Sequence, residues 1–143
     1  MIEDKTPQRT SIAQLGEFGL IQHLTRDQKK TSDTLKSIGD DCAVIQSNGL
    51  KSLVTTDFLV EDIHFDMSYT PLKHLGYKAV VVNVSDIYAM NGKPKHITVS
   101  LAVSNRYSVE ALEELYAGIY LACEHYGIDV IGGDTTSSLK GLV

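Results

Sequence analysis

The chain has 143 residues, 13 Lys+Arg against 18 Asp+Glu, 43% hydrophobic residues and a formal net charge of −5. That is the length of one ordinary domain, long enough for a sizeable core, too apolar for a disordered chain and too acidic for a nucleic-acid backbone binder. Cys42 and Cys123 make no CxxC, which excludes a zinc ribbon or disulfide framework, and no apolar stretch reaches a membrane span, so a cytoplasmic protein binding neither nucleic acid nor membrane is expected.

The start, Met1 to Pro7, has no apolar stretch behind a basic head and does not read as a signal peptide. Residues 11–24 read as a short amphipathic helix loosened by Gly16 and Gly19, and the polar stretch from Thr25 to Ser37 as an exposed loop. Asn48-Gly49 stands between two apolar runs, Cys42 to Ser47 and Leu50 to Asp57, and supplies the positive φ angles of a tight hairpin. The start of one strand of a hairpin lies beside the end of its partner. Asp41 and Asp57 are therefore expected at the same end.

From Pro71, placed in a first turn, Leu72, Leu75, Ala79, Val82, Val84 and Ile87 recur at near-helical spacing until Asn91-Gly92 stops the helix. His96 to Ser104 alternates as a half-buried strand with Ile97, Val99, Leu101 and Val103 on one face. Ser108 is placed to cap a helix whose buried stripe is Val109, Leu112, Leu115, Ile119 and Ala122, closed by Gly127. Ile128 to Ile131 reads as a short buried strand running into Gly132-Gly133-Asp134-Thr135-Thr136, and Leu142-Val143 as the beginning of another strand. The order gives an α+β fold, a mixed or antiparallel sheet with helices on one face. It is read as one domain, 1–143, incomplete at its C-terminal end.

Between Asp40 and Asp86 stand seven acids and three bases, so that segment carries −4 of the total −5. Folding such charges together costs free energy unless something positive neutralises them, and hard divalent cations take carboxylate and hydroxyl oxygens. The competing reading is a solvated acidic face. Four elements place an acid beside Gly, Ser or Thr: Gly39-Asp40-Asp41, Thr55-Thr56-Asp57, Ser85-Asp86 and Gly132-Gly133-Asp134-Thr135-Thr136. Asp86 stands out, because a carboxylate amid Val82, Val84, Ile87 and Met90 is costly unless paired or turned to solvent. Together the four point to several magnesium ions around nucleotide phosphates, with neither a P-loop nor a dinucleotide fingerprint present.

The run Thr55-Thr-Asp-Phe-Leu-Val-Glu-Asp-Ile-His64-Phe resembles the corresponding segment of the thiamine-monophosphate kinases. So do Leu75 to Met90, Leu15-Gly-Glu-Phe-Gly-Leu-Ile, Gly39-Asp-Asp and Gly132-Gly-Asp-Thr-Thr. The likeness covers nearly the whole chain but only the N-terminal half of those enzymes. Asp62 stands where the family commonly has Gly. The wider superfamily holds aminoimidazole ribotide synthetase, selenophosphate synthetase and the hydrogenase-maturation ATPase.

The resemblance implies the N-terminal ATP-binding domain of the aminoimidazole ribotide synthetase-like fold, pairing as a homodimer into a barrel that covers the Ile97–Val103 face. It implies that Asp41, Thr55, Thr56, Asp57, Asp86 and Asp134 hold magnesium, that His64 contacts thiamine monophosphate, and that Tyr116, Gly133 and Asp134 meet the nucleotide. Asp40 is left as a strand cap, His64 keeps an alternative as a packed histidine, and Tyr116 one as core. The implied activity is phosphorylation of thiamine monophosphate to thiamine diphosphate by ATP. A phosphate oxygen is already an ionised nucleophile, so no general base is needed. The chain alone is expected to be inactive. The alternatives are another ATPase of the superfamily and a non-catalytic dimerising fragment.

Overall fold

The computed structural model describes residues 9–143, so the stretch Met1 to Pro7 lies outside the described residues. Two compact units divide at Ser32 and Asp33. The first holds α1 (Ile12–Thr25), interrupted where Gly16 takes φ 64° and ψ −177°. Its expected amphipathic stripe is not buried: Ile12 and Phe18 stand 66% and 85% exposed.

The second unit opens with three antiparallel strands in the order β1 (Thr34–Lys36), β2 (Ala43–Ser47) and β3 (Leu50–Val54). The stretch expected as loop thus contains β1. Three residues are too few to show an alternation, and the pairing with β2 is irregular between Thr34 and Lys36. The hairpin forms where expected, with Asn48 at φ 50° and Gly49 at φ 80°, the positive pair that matches strand twist. Its register sets Ala43 opposite Val54, which brings Asp41 and Asp57 to one end of the sheet.

Helix α2 (Leu72–Ala89) begins one residue later than the first-turn assignment of Pro71 requires; Pro71 sits at the N-cap, with ψ 135°. The helix ends in two backbone bonds, Asn91 N–H to Tyr88 O at 2.9 Å and Gly92 N–H to Ile87 O at 2.8 Å, with Asn91 at φ 55°. This pairing satisfies the last carbonyls of the helix. The buried residues of α2 are Leu75, Gly76, Val80 and Val84. Of the β-branched run at 80–82 only Val80 joins the core, and the run is helical because tertiary packing overrides its strand propensity.

β4 (His96–Val103) and α3 (Val109–Tyr126) match their expected spans. The Ser108 side chain accepts the Ala111 N–H at 3.3 Å, and hydrogen bonds from Ser108 and its own backbone hold the Glu110 carboxyl below its ordinary range. Ser108→Ala is expected to cost about 1 kcal/mol, lowering Tm by roughly 3–4 °C in calorimetry. Val109, expected in the buried stripe, is 69% exposed because the first turn of α3 lies off the core. Gly127 closes the helix in the left-handed conformation.

β5 (Asp129–Ser137) runs parallel to β4, with α3 as the crossover between them. It is longer and more exposed than the expected strand, because Gly132 and Gly133 pair with Thr98 and Val99 instead of turning. Leu142-Val143 adds to β4 in antiparallel sense: Val143 exchanges both backbone bonds with Ala102, at 2.9 and 3.0 Å. The fold is mixed α+β, with an antiparallel sheet and a separate parallel pair.

Leu75, Val80, Val84, Leu101, Leu115, Ile119, Ala122, Ile128 and Leu142 form the buried cluster. Ile97, Val99 and Val103, half-buried, pack against it, so this face of β4 is turned toward the chain's own core. Where α2 crosses α3, Gly76 and Gly118 allow backbone to meet backbone: a Cβ at Gly76 would lie 1.9 Å from Leu115 O, and one at Gly118 1.9 Å from Lys73 O. Among the described residues, no helix is long and apolar enough to cross a membrane.

Candidate active site

Chain leaving β3 is held against α2 by two polar contacts. The Thr55 hydroxyl donates to Asp86 Oδ2 at 2.8 Å, and the Asp57 N–H donates to Asn83 Oδ1 at 3.0 Å. Asn83 and Asp86 are three residues apart and so share one face of the helix. Asp86 is half-buried there, not on the open face, and its carboxylate has the partner that such a position demands.

The charges around this contact are poorly compensated. Burial and the negative charge of Asp86 push the Asp57 carboxyl above its ordinary range, and His64 opposes them only in part. Burial pushes the Cys42 thiol up, and the carboxylates of Asp86 and Asp41 add to it, with the Thr55 hydroxyl working the other way. Asp41, Asp57, Asp86 and His64 thus share one electrostatic neighbourhood. None of the three acids has an ion pair among the described residues. Asp40 does: Lys36 bridges to it, and it accepts the Asp41 N–H at 3.0 Å. That leaves Asp41 as the unneutralised member of the pair.

His64 stands on a loop closed on itself. The Val60 N–H donates to His64 Nδ1 at 3.0 Å, the His64 N–H returns to Val60 O at 2.8 Å, and the Asp62 N–H reaches Phe65 O at 2.8 Å. In the neutral ring an Nδ1 that accepts leaves Nε2 as the N–H donor of this exposed side chain. Asp62 takes φ 66°, a left-handed conformation at the position where the resembled pattern has Gly. Beside Asp57, between α2, α3 and β4, opens a cleft of about 140 Å³ lined by Asn83, Ile97, Ser100, Leu115 and Val143 among others.

Thr56 follows Thr55 in the same segment, Gly133 and Asp134 stand on β5, and Tyr116 stands on α3. Asp134 is exposed on β5 opposite Ser100 and makes no hydrogen bond or ion pair among the described residues. Thr56 is exposed. Tyr116 is half-buried against the core, its ring 5.8 Å from that of Tyr120. Gly133 has φ 153°, and a Cβ there would lie 1.8 Å from Val99 O. Gly133→Ala is expected to cost about 3 kcal/mol by forcing β5 from β4. Gly132→Ala, with nothing within 4 Å of its Cβ, is the control in a urea titration.

No three His, Cys, Asp or Glu side chains among the described residues are grouped closely enough to hold a metal ion. That does not disqualify magnesium, which keeps several waters and is commonly bound through one or two carboxylates plus substrate phosphates. The donor set here, uncompensated carboxylates at 41, 57 and 86 with the Thr55 hydroxyl beside them, is hard and oxygen-only, and fits that ion. Asn83, Lys78 and Glu61 were missed in the sequence. Lys78 Nζ donates to His64 O at 2.8 Å, and only its place on α2 above that loop reveals the contact.

Comparison with known proteins places this geometry in a family. Residues 39–143 match the family model described as AIR synthase related protein, N-terminal domain. The thiamine-monophosphate kinase of Aquifex aeolicus (strain VF5) is 43% identical over 129 residues, covering 90% of this chain and 40% of that protein. That of Bacillus subtilis (strain 168) is 39% identical over 130 residues, with the same 90% and 40% coverage. The solved structure of AaThiL complexed with AMPPCP and TMP superposes with a TM-score of 0.84 at 34% identity, over 95% of this chain and 42% of that one. The chain therefore spans about 40% of the length of the curated relatives it matches. With its matched span covering most of the chain, the protein belongs to the AIR synthase related protein family, as an N-terminal domain of that family.

Proposed function

We propose that this chain is the nucleotide- and magnesium-binding domain of a thiamine-monophosphate kinase, acting in transfer of the ATP γ-phosphate to thiamine monophosphate to give thiamine diphosphate. The observation that carries the reading is the juxtaposition of Asp57, Asp86 and Thr55 with the His64 loop. The likeness to a structure holding an ATP analogue and TMP supports it. Asp41, Thr55, Thr56, Asp57, Asp86 and Asp134 would hold magnesium through their carboxylate and hydroxyl oxygens. Bound magnesium would neutralise the repulsion between donor and acceptor phosphates. His64 presents Nε2–H to the acceptor phosphate, and Gly133, Asp134 and Tyr116 lie toward the nucleotide. Catalysis is then alignment and charge stabilisation of an in-line displacement.

A homodimer, located in the cytoplasm, belongs to the same proposal. It is supported by the exposed β5, where Ile131 remains 63% exposed. Product analysis tests the reading. The protein that carries this domain, given ATP, magnesium and thiamine monophosphate, is expected to release thiamine diphosphate and ADP. Transfer only to a different acceptor, or ATP binding that ignores magnesium, overturns it.

A further inference from the structure

Glu61 is the one acid of the 57–66 segment whose charge is fully engaged. Its side chain is 8% exposed. Its carboxylate receives Arg106, the Tyr107 hydroxyl at 2.9 Å and the Leu142 N–H at 2.8 Å, while its own N–H donates to Leu142 O at 3.1 Å. The Arg106 guanidinium lies 5.0 Å over the Tyr107 ring and 2.9 Å from its hydroxyl, so the partners also hold each other. Burial alone would raise the Glu61 pKa, but the bonds from Arg106, Tyr107 and Leu142 outweigh it and hold the carboxyl below its ordinary range. Gly141, at φ 78°, gives the carboxylate room: a Cβ there would stand 2.9 Å from Glu61 Oε2.

The anchor has a direction. Glu61 bridges to Phe65, and His64 lies inside the loop that this bridge closes. One end of the His64 loop is thereby fixed to the turn after β4 and to the segment that extends the β4 edge. The other contact of the loop, Lys78 with His64 O, comes from α2. A buried ion pair is weak evidence for net stability, since well-packed apolar residues often serve as well. It is strong in geometry, because a bonded carboxylate fixes the backbone that carries it.

We propose that Glu61 is a positioning residue: through Arg106, Tyr107 and Leu142 it sets the 60–65 loop so that His64 Nδ1 is held by the Val60 N–H and Nε2–H faces the acceptor phosphate. The functional half of this statement rests on His64 as the substrate contact, and the structural half does not.

The test is nitrogen-15 NMR of the His64 ring in this chain without ligand, followed by titration with thiamine monophosphate. In the parent, His64 is expected as the Nε2–H tautomer with an accepting Nδ1. Glu61→Ala and Glu61→Gln are expected to average the two tautomers while the methyl signals of Leu115 and Ile119 stay put. They should also weaken thiamine monophosphate by at least about tenfold. Should Glu61→Ala fail to fold, Tyr107→Phe, which removes only the hydroxyl, and Arg106→Gln, at a half-exposed side chain, carry the same measurement with smaller shifts. An unchanged His64 tautomer across these variants overturns the proposal. A changed tautomer with thiamine monophosphate binding that is also indifferent to His64→Gln leaves the positioning intact and removes the substrate role of His64 instead.

Discussion

Asp86→Asn is expected to weaken magnesium-dependent ATP binding by about 100-fold, roughly 2.7 kcal/mol, with little change in the fold. The asymmetry follows from the contact. An amide oxygen at residue 86 still accepts the Thr55 hydroxyl, so the link from β3 to α2 survives while the charge is lost. Asp57→Asn should show the same loss of binding with an additional sign. Burial and Asp86 raise the Asp57 carboxyl above its value in the unfolded chain. A carboxyl shifted that way contributes stability that is full below the unfolded value and is lost as pH rises through the folded one. At neutral pH the ionised Asp57 therefore destabilises the cation-free fold, and Asp57→Asn should raise Tm slightly. The exposure of Asp57 keeps the gain to about 0.5 kcal/mol, or 1–2 °C. Calorimetric titration with ATP, with and without magnesium, paired with thermal unfolding at pH 7, reads both effects. Binding that is the same in both variants and the parent would remove the cation assignment.

The largest stability effect is expected at the α2–α3 crossing. Gly76→Ala or Gly118→Ala places a methyl 1.9 Å from a backbone carbonyl oxygen of the facing helix. No rotamer relieves such a contact, so the helices must separate along a buried face that includes Leu75, Leu115 and Ile119. Each substitution is expected to cost about 3 kcal/mol or more net of the gain of about 1 kcal/mol from the better helix propensity of Ala. For a domain this size that lowers Tm by roughly 10 °C, and the double variant should not fold. Gly19→Ala, whose new Cβ would meet only Leu15 at 3.4 Å, is the control. If urea unfolding of Gly118→Ala matches that of the control, the close crossing is wrong.

Much of this protein is legible from local chemistry. Asn48-Gly49 dictates its turn because both residues accept positive φ, and the hairpin then carries Asp41 and Asp57 to one end without further help. Ser108 and Gly127 bracket α3, since a cap and a left-handed residue act within a single turn. The alternation of β4 marks which side chains face inward, because a strand's period fixes its faces.

Other features belong to the tertiary structure alone. Gly132-Gly133 reads locally as a turn, yet Gly133 lies against the Val99 backbone in a parallel strand, a fit that only the neighbouring chain reveals. Val109 looks like core by spacing and is exposed, while Leu112 and Leu115 on the same stripe reach the buried cluster. The apolar face of β4 packs on core residues that α2 and α3 supply, a choice its alternation alone does not make. Asp86 is the clearest case. Its sequence neighbours show that a carboxylate there needs a partner, but Thr55 is 31 residues away, and pairing at that distance is decided by packing, not by any local preference.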